Sequence, residues 1–142
     1  MKIALASDHA GFELKQELYQ RLCRRGHEVS DCGPATDGSC DYPDYARPVA
    51  TLVARGECGR GVLVCGTGIG MAISANKTAG VRAANLYDAT SARLSREHND
   101  SNVATLGARL LTVEQAEELL GLWLATPFLA GRHALRVAKI EA

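Results

Sequence analysis

The sequence carries no net charge: sixteen Lys and Arg balance sixteen Asp and Glu over 142 residues. That balance removes any global electrostatic case for nucleic acid or an anionic membrane surface, while leaving room for a small anionic ligand. No apolar run is long enough to cross a bilayer. The N-terminal MKIALAS stops being apolar at Asp8 and His9, too early for the h-region of a signal peptide. The five cysteines, Cys23, Cys32, Cys40, Cys58 and Cys65, are odd in number and nowhere spaced C-x-x-C. They suggest neither a disulfide framework nor a cysteine-rich zinc site, and a reducing cytoplasm is the expected compartment. Repeats and low-complexity segments are absent, and the length suits one domain spanning residues 1–142.

What is present is organised around Gly61 to Gly70, GVLVCGTGIG. Val62 to Cys65 form an apolar run with no polar face, as expected of a parallel strand covered on both sides. Gly66, Gly68 and Gly70 leave backbone N–H groups free to converge, and Ile69 to Lys77 is expected to be helical. A helix N-terminus favours negative charge, so Cys65 is placed where a thiolate base or nucleophile would be stabilised. The alternative is that Cys65 is a small buried hydrophobe.

Taken in order, the chain alternates strand and helix. Lys2 to Ser7 reads as a first strand, followed by a turn at Asp8, His9, Ala10 and Gly11 and a helix with Leu14, Leu18 and Leu22 on one face, stopped at Gly26. Val29 to Cys32 is a second strand and Gly33 to Pro43 a loop. A helix from about Tyr45 to Arg55 then precedes the central strand. Val81 to Leu86 and Val103 to Leu106 are the fourth and fifth strands, separated by a helix from about Ala89 to Glu97. The TVEQ sequence at Thr112 to Gln115 is a capping box opening another helix, and Pro127 separates it from a last one over about Gly131 to Ile140. Five strands in strict alternation with helices predict an α/β fold, a three-layer sandwich around a parallel sheet, with ligands beyond the strand C-termini. Asp8 and His9, Cys65 to Gly70, and Asp88 should share that rim.

The glycine loop fails the common motifs. Met71 stands where the dinucleotide fingerprint needs its third glycine and where a C-x5-R phosphatase loop needs arginine, and no G-K-[ST] follows. Proton transfer next to a carbonyl remains open, with loop N–H groups stabilising an oxyanion. Thr67 either assists that base or caps the next helix. His98, in EHND, either serves as an acid–base group or ends a solvated helix. Arg132 and Arg136 are four apart, share a helix face and lack acidic partners at i+4, so they form either a phosphate clamp or a solvated basic face. His9 either donates to the same anion or satisfies loop backbone.

The set Asp8-His9-Ala10-Gly11, Asp41-Tyr42-Pro43, Cys65-Gly66-Thr67-Gly68-Ile69-Gly70, Ala75-Asn76-Lys77, His98-Asn99-Asp100 and Gly131-Arg132-His133 resembles, in order and spacing, the ribose-5-phosphate isomerase B family. That family includes the allose and galactose 6-phosphate isomerases, and the match runs from Lys2 to about Ala138. The resemblance implies a Rossmann-like five-stranded sheet and reversible aldose–ketose isomerisation of a phosphorylated sugar, without metal or organic cofactor. It also implies a homodimer with shared active sites, or a tetramer built from it.

Roles follow from the same resemblance. Cys65 is expected to move the proton between C2 and C1, with Thr67 assisting and the backbone of Gly66, Thr67, Gly68, Ile69 and Gly70 holding the oxyanion. His98 is expected to open the furanose ring, while Asp8 and Asn99 orient hydroxyls. His9, Arg109, Arg132 and Arg136 are expected to contact phosphate and hydroxyls, some across the dimer. One branch of the family lacks the cysteine and carries a glutamate at the position of Met71; this chain falls in the cysteine branch. The galactose 6-phosphate enzyme resembles a split version, with the cysteine in one subunit type and the histidine and C-terminal arginines in another. Here Cys65, His98, Arg132 and Arg136 lie on one chain, so a homo-oligomer suffices. Ribose 5-phosphate is the expected substrate. The alternatives are a hexose 6-phosphate of the allose type, with the Asp37 to Asp41 loop and Tyr87 shaping the sugar end, or a non-catalytic sugar-phosphate-binding module.

Overall fold

Apolar runs and helical periodicity alternate along the chain, and the computed structural model, which describes residues 1–142, turns them into five strands and six helices. These are β1 (Lys2–Ser7), α1 (Phe12–Arg24), β2 (Glu28–Asp31), α2 (Tyr42–Ala54), β3 (Arg60–Cys65) and α3 (Ile69–Ala75) in the first half. The second half holds β4 (Ala83–Asn85), α4 (Ala89–Glu97), β5 (Val103–Gly107), α5 (Val113–Ala125) and α6 (Arg132–Ile140). The strands form one sheet in the order β2-β1-β3-β5-β4, every pair parallel. The expected α/β architecture is therefore present.

Side chains alternate across the pleat and build a separate core on each face. Ile3, Leu5, Val62, Val64 and Leu106 point to one side, where they meet Leu14, Leu18 and Leu22 of α1, Ala92 of α4, and Leu120 and Trp123 of α5. Ala4, Ala6, Leu63 and Cys65 point to the other, against Val49 and Val53 of α2 and Met71 of α3. Cys65 thus belongs to the α2/α3 face. Both cores are made of buried side chains, many wholly withdrawn from water, and at about 25 cal/mol per Å² of apolar surface their burial is the main stabilising term.

Several boundaries differ from the sequence expectation, and three of the shifts have an identifiable cause. The helix expected from Tyr45 begins at Tyr42, because Asp41 is its extended N-cap and Pro43 falls in the first turn, where its missing N–H leaves nothing unpaired. The helix expected to reach Lys77 stops at Ala75, since Lys77 and Thr78 donate to carbonyls three residues back and tighten the chain into a turn. The fourth strand shrinks from Val81–Leu86 to Ala83–Asn85. Val81 is drawn into a turn by its bond to Thr78 O at 3.1 Å. On the outer edge, the Asn76 amide accepts from Ala83 N at 2.7 Å and donates to Ala83 O at 3.0 Å, standing in for a neighbouring strand.

One close approach sets the position of the β1–α1 turn. Asp8 N donates to Val64 O at 3.1 Å, and Gly11 packs so tightly on that peptide that a Cβ would lie 2.6 Å from the same oxygen. Only glycine fits there. Gly11→Ala is expected to destabilise the protein by about 1–3 kcal/mol, because the obstacle is backbone and cannot rotate away. A lower urea midpoint with an unchanged m-value would show it, and an unchanged midpoint would refute it.

Candidate active site

β3 ends at Cys65, whose side chain is only 4% exposed. The chain then turns through Gly66 and Gly68 under close constraint. Gly68 has φ +81°, a conformation open to glycine at low cost, and a Cβ there would stand 2.3 Å from Asn85 Oδ1. In this turn the Gly68 N–H donates to Cys65 Sγ at 3.2 Å. Gly66 lies beneath the Arg109 guanidinium, with a hypothetical Cβ 3.1 Å from Nη1, and Gly70 lies beneath the ring of Tyr42 at 2.9 Å on the same measure. Thr67 Oγ1 accepts from Ile69 N at 3.2 Å, so its hydroxyl holds the turn that opens α3, whose N-cap is Gly68.

Neighbouring loops complete this rim. Ala108 N donates to Cys65 O at 2.8 Å and Arg109 N to Gly66 O at 3.0 Å, so β5 delivers Arg109 directly beside the glycine turn. Asp8 is 7% exposed, and its Oδ1 accepts from Gly11 N at 3.0 Å. His9 is exposed, with Nδ1 3.2 Å from Cys40 O and 3.3 Å from Cys40 N. Asp88, also on this rim, is the N-cap of α4 in a reciprocal capping box with Ser91. The exposed Arg109 is left free for an anion, because the arginines in ion pairs are Arg21, Arg25, Arg55, Arg82, Arg93 and Arg96. By the same count Arg132 and Arg136 are unpaired.

His98, Asn99, Arg132 and Arg136 do not join this rim within one chain. α4 runs antiparallel to the strands, so its C-cap His98 lies where the strands begin. Asn102 O accepts from Gly61 N at 3.0 Å, which sets the 98–102 loop beside the start of β3 while Cys65 ends it. Four strand steps at about 3.3 Å put the two ends roughly 13 Å apart. The expected site is thus divided into a thiol half and an imidazole half.

The second half is rigidly held. Arg96 Nη1 donates to Asp100 Oδ1 at 2.7 Å and Ser101 O at 2.6 Å, and Trp123 Nε1 donates to Ser101 Oγ at 2.8 Å. Arg82 Nε donates to Asn99 O at 3.1 Å. The His98 ring stacks on His133 of α6, with centroids 4.2 Å apart and planes within 12°. Burial, His98, Arg132 and Arg136 together hold the His133 imidazole below its ordinary pKa, against a weaker pull from Glu97. Arg132 and Arg136 extend from the same helix into solvent.

Tyr42, Asn85 and His133 received no role from the sequence. Tyr42 and His133 sit inside motifs that carried the resemblance, and Asn85 was legible only as a polar residue inside an expected buried strand. No three His, Cys, Asp or Glu side chains converge on a point that could hold a metal ion, and no helix is long and apolar enough to cross a membrane.

Residues 3–140 match the family model described as Ribose/Galactose Isomerase. The chain belongs to the ribose/galactose isomerase family. It is 47% identical to ribose-5-phosphate isomerase B of Escherichia coli, covering 99% of this chain and 95% of that one. It is 48% identical to a putative sugar phosphate isomerase of Bacillus subtilis with the same coverage. Among solved structures, ribose-5-phosphate isomerase B of Clostridium thermocellum superposes with a TM-score of 0.98 at 48% identity, over 99% of this chain and 95% of that one. The Thermotoga maritima ribose 5-phosphate isomerase gives a TM-score of 0.97 at 46% identity, over 99% and 97%. The family resemblance read from the sequence is borne out over almost its entire length, and the fold is that of these isomerases.

The lowered pKa of His133 has a definite sign for stability. The unfolded chain binds the proton more readily, so the stabilisation is complete above the ordinary imidazole value of about 6.5 and is lost as pH falls through the lower folded value. His27, held low mainly by burial, adds a contribution of the same sign. His133→Phe keeps a ring against His98 but cannot titrate. Its Tm is expected to fall less steeply than the parent's between about pH 7 and pH 5, and parallel curves would refute the assignment.

Proposed function

We propose that this chain interconverts ribose 5-phosphate and ribulose 5-phosphate through an enediolate, with Cys65 as the base. The observation that carries the reading is the buried Cys65 Sγ under the Gly68 N–H, in a glycine turn flanked by the unpaired Arg109. Such a turn offers donors where an enediolate oxygen develops charge, and a proton acceptor one residue away. Names of the relatives support the pentose phosphate as substrate.

In this reading Asp8 orients a substrate hydroxyl, and His9 and Arg109 contact the hydroxyls and phosphate. Thr67 assists the base, and the backbone of Gly66 to Gly70 stabilises the oxyanion. His98 opens the ring and Asn99 steadies a hydroxyl, while Arg132 and Arg136 clamp the phosphate as point charges in a paired array. Because His98, Asn99, Arg132 and Arg136 sit at the opposite end of the sheet from Cys65, they serve the thiol of a second copy. Apolar surface fits this arrangement: Ile69 (54% exposed) and Ile73 (61%) on α3, Leu110 (64%), Leu129 (56%), and Leu135 (72%) on α6 stand in solvent in the single chain. A homodimer covers these faces and completes both sites, and a tetramer could assemble from two such dimers. The five free thiols fit the cytoplasm.

A coupled assay offering ribose 5-phosphate and allose 6-phosphate side by side tests the reading. The pentose is expected to have the higher kcat/KM, and Cys65→Ala is expected to lower kcat by about a hundredfold or more, the scale of a lost general base. A preference for the hexose would keep the chemistry and change the substrate, and no turnover of either would leave a sugar-phosphate-binding module. Complementation tests the shared site. Cys65→Ala and His98→Ala chains, each inactive alone, are expected to recover about one quarter of parental activity when refolded together in equal amounts: half the dimers are mixed, and each mixed dimer holds one intact site of two. No recovery in mixed dimers that do form would place both groups on a single chain's site.

A further inference from the structure

The N–H that reaches Cys65 belongs to the peptide linking Thr67 and Gly68, and the other end of that peptide is also held. Its carbonyl, Thr67 O, accepts from Asn85 Nδ2 at 3.4 Å, while its N–H donates to Cys65 Sγ at 3.2 Å. The C=O and N–H of a trans peptide point in opposite directions, so fixing one end aims the other. Asn85 is itself oriented. Thr105, fully buried and its register partner across β4 and β5, donates its Oγ1 hydrogen to Asn85 Oδ1 at 3.3 Å, which leaves Nδ2 facing Thr67 O.

We infer that Asn85 and Thr105 are positioning residues for the isomerase: they orient the Thr67–Gly68 peptide so that its N–H points at the Cys65 sulfur. This rests on the reading of Cys65 as the base. Gly68 is bound into the same arrangement, because any side chain there would collide with Asn85 Oδ1 at 2.3 Å and the φ of +81° already disfavours one. A donor to sulfur is worth more when the sulfur is charged, so the clamp favours the form of Cys65 that removes a proton. Neither Asn85 nor Thr105 need touch the sugar.

The test is the rate at which iodoacetamide alkylates Cys65 at neutral pH, read by peptide mass spectrometry with Cys40 as internal reference, beside kcat and KM. Thr105→Val keeps the shape and removes the hydroxyl, Thr105→Ser restores it, and Asn85→Asp keeps the size but removes the donor to Thr67 O. In Thr105→Val and Asn85→Asp, alkylation of Cys65 is expected to slow several-fold relative to Cys40, and kcat to fall about tenfold with KM changed less than about twofold, the scale of one hydrogen bond to a charged group. Thr105→Ser should behave as the parent. Loosening of the loop alone would expose the buried thiol and speed alkylation. Faster or unchanged alkylation in folded variants, or slowing that Thr105→Ser does not prevent, overturns the inference. Should Asn85→Asp not fold, the Thr105→Val and Thr105→Ser pair decides. If the parent turns over neither sugar phosphate, the isomerase reading fails, while the alkylation ratio still reports whether the clamp acts on the thiol.

Discussion

Every strand of the sheet points the same way, and that constraint governs the location of all the chemistry. A parallel sheet gathers its strand C-termini along one rim, so Asp8, Cys65 and Arg109 arrive together although 101 positions separate the first from the last. The return helices must run antiparallel, so what they carry at their C-terminal ends is delivered to the opposite rim. His98 closes one such helix and is sent away from Cys65 by the same rule that brings Asp8 towards it. Division of the site is therefore a consequence of topology. In the proposed reading, a second copy completes the site without any rearrangement of the chain.

Around the thiol the dominant device is backbone approaching without side chains. Gly66 yields to Arg109, Gly68 to Asn85, Gly70 to Tyr42, Gly11 to the Val64 carbonyl and Gly107 to the Thr67 backbone, at separations where a Cβ would stand 3.1 Å or less from its neighbour. Five glycines thus compress three loops onto one sulfur. The far rim is built differently. There Arg82, Arg96, Trp123 and Ser101 pin the 98–102 loop through side-chain hydrogen bonds, and Asp100 adopts φ 46° within that network. A glycine-built cradle suits an oxyanion held by N–H groups, whereas a side-chain-built platform suits imidazole and guanidinium groups offered to another molecule.

The fold was legible because its signals are local. Apolar runs such as VLVC cannot be anything but buried, and the alternation of strands and helices admits few topologies. Boundaries slipped where tertiary hydrogen bonds outweighed propensity: Asn76 ends α3 and trims β4 because its amide serves both atoms of Ala83, a partnership seven residues away that no periodicity reveals. The glycine turn was legible too, since G-T-G-I-G after a strand has few uses. The clamp on it was not. Asn85 and Thr105 read as polar interruptions in apolar strands, and only the register that pairs them across β4 and β5 shows why a buried sheet tolerates both.

The division into two rims also bears on how the halves are coupled. Arg132, Arg136 and the imidazole of His98 do not float independently, because His133, on the same helix as the two arginines, stacks on His98. In the proposed reading, a phosphate drawn to that helix pulls on the element against which the His98 imidazole rests. Leu129 N, bonded to Glu97 O at 3.1 Å, ties the approach to α6 to the last turn of α4 and keeps the two from sliding apart. Binding energy from the non-reacting phosphate can in this way be spent on placing the reacting end, which is the economy expected of a catalyst for a small, flexible substrate. On the thiol rim the Asn85 clamp does the corresponding work, holding a donor in place before any sugar arrives. Both halves are ordered within the single chain, so the proposed association of two chains has only to bring finished surfaces together.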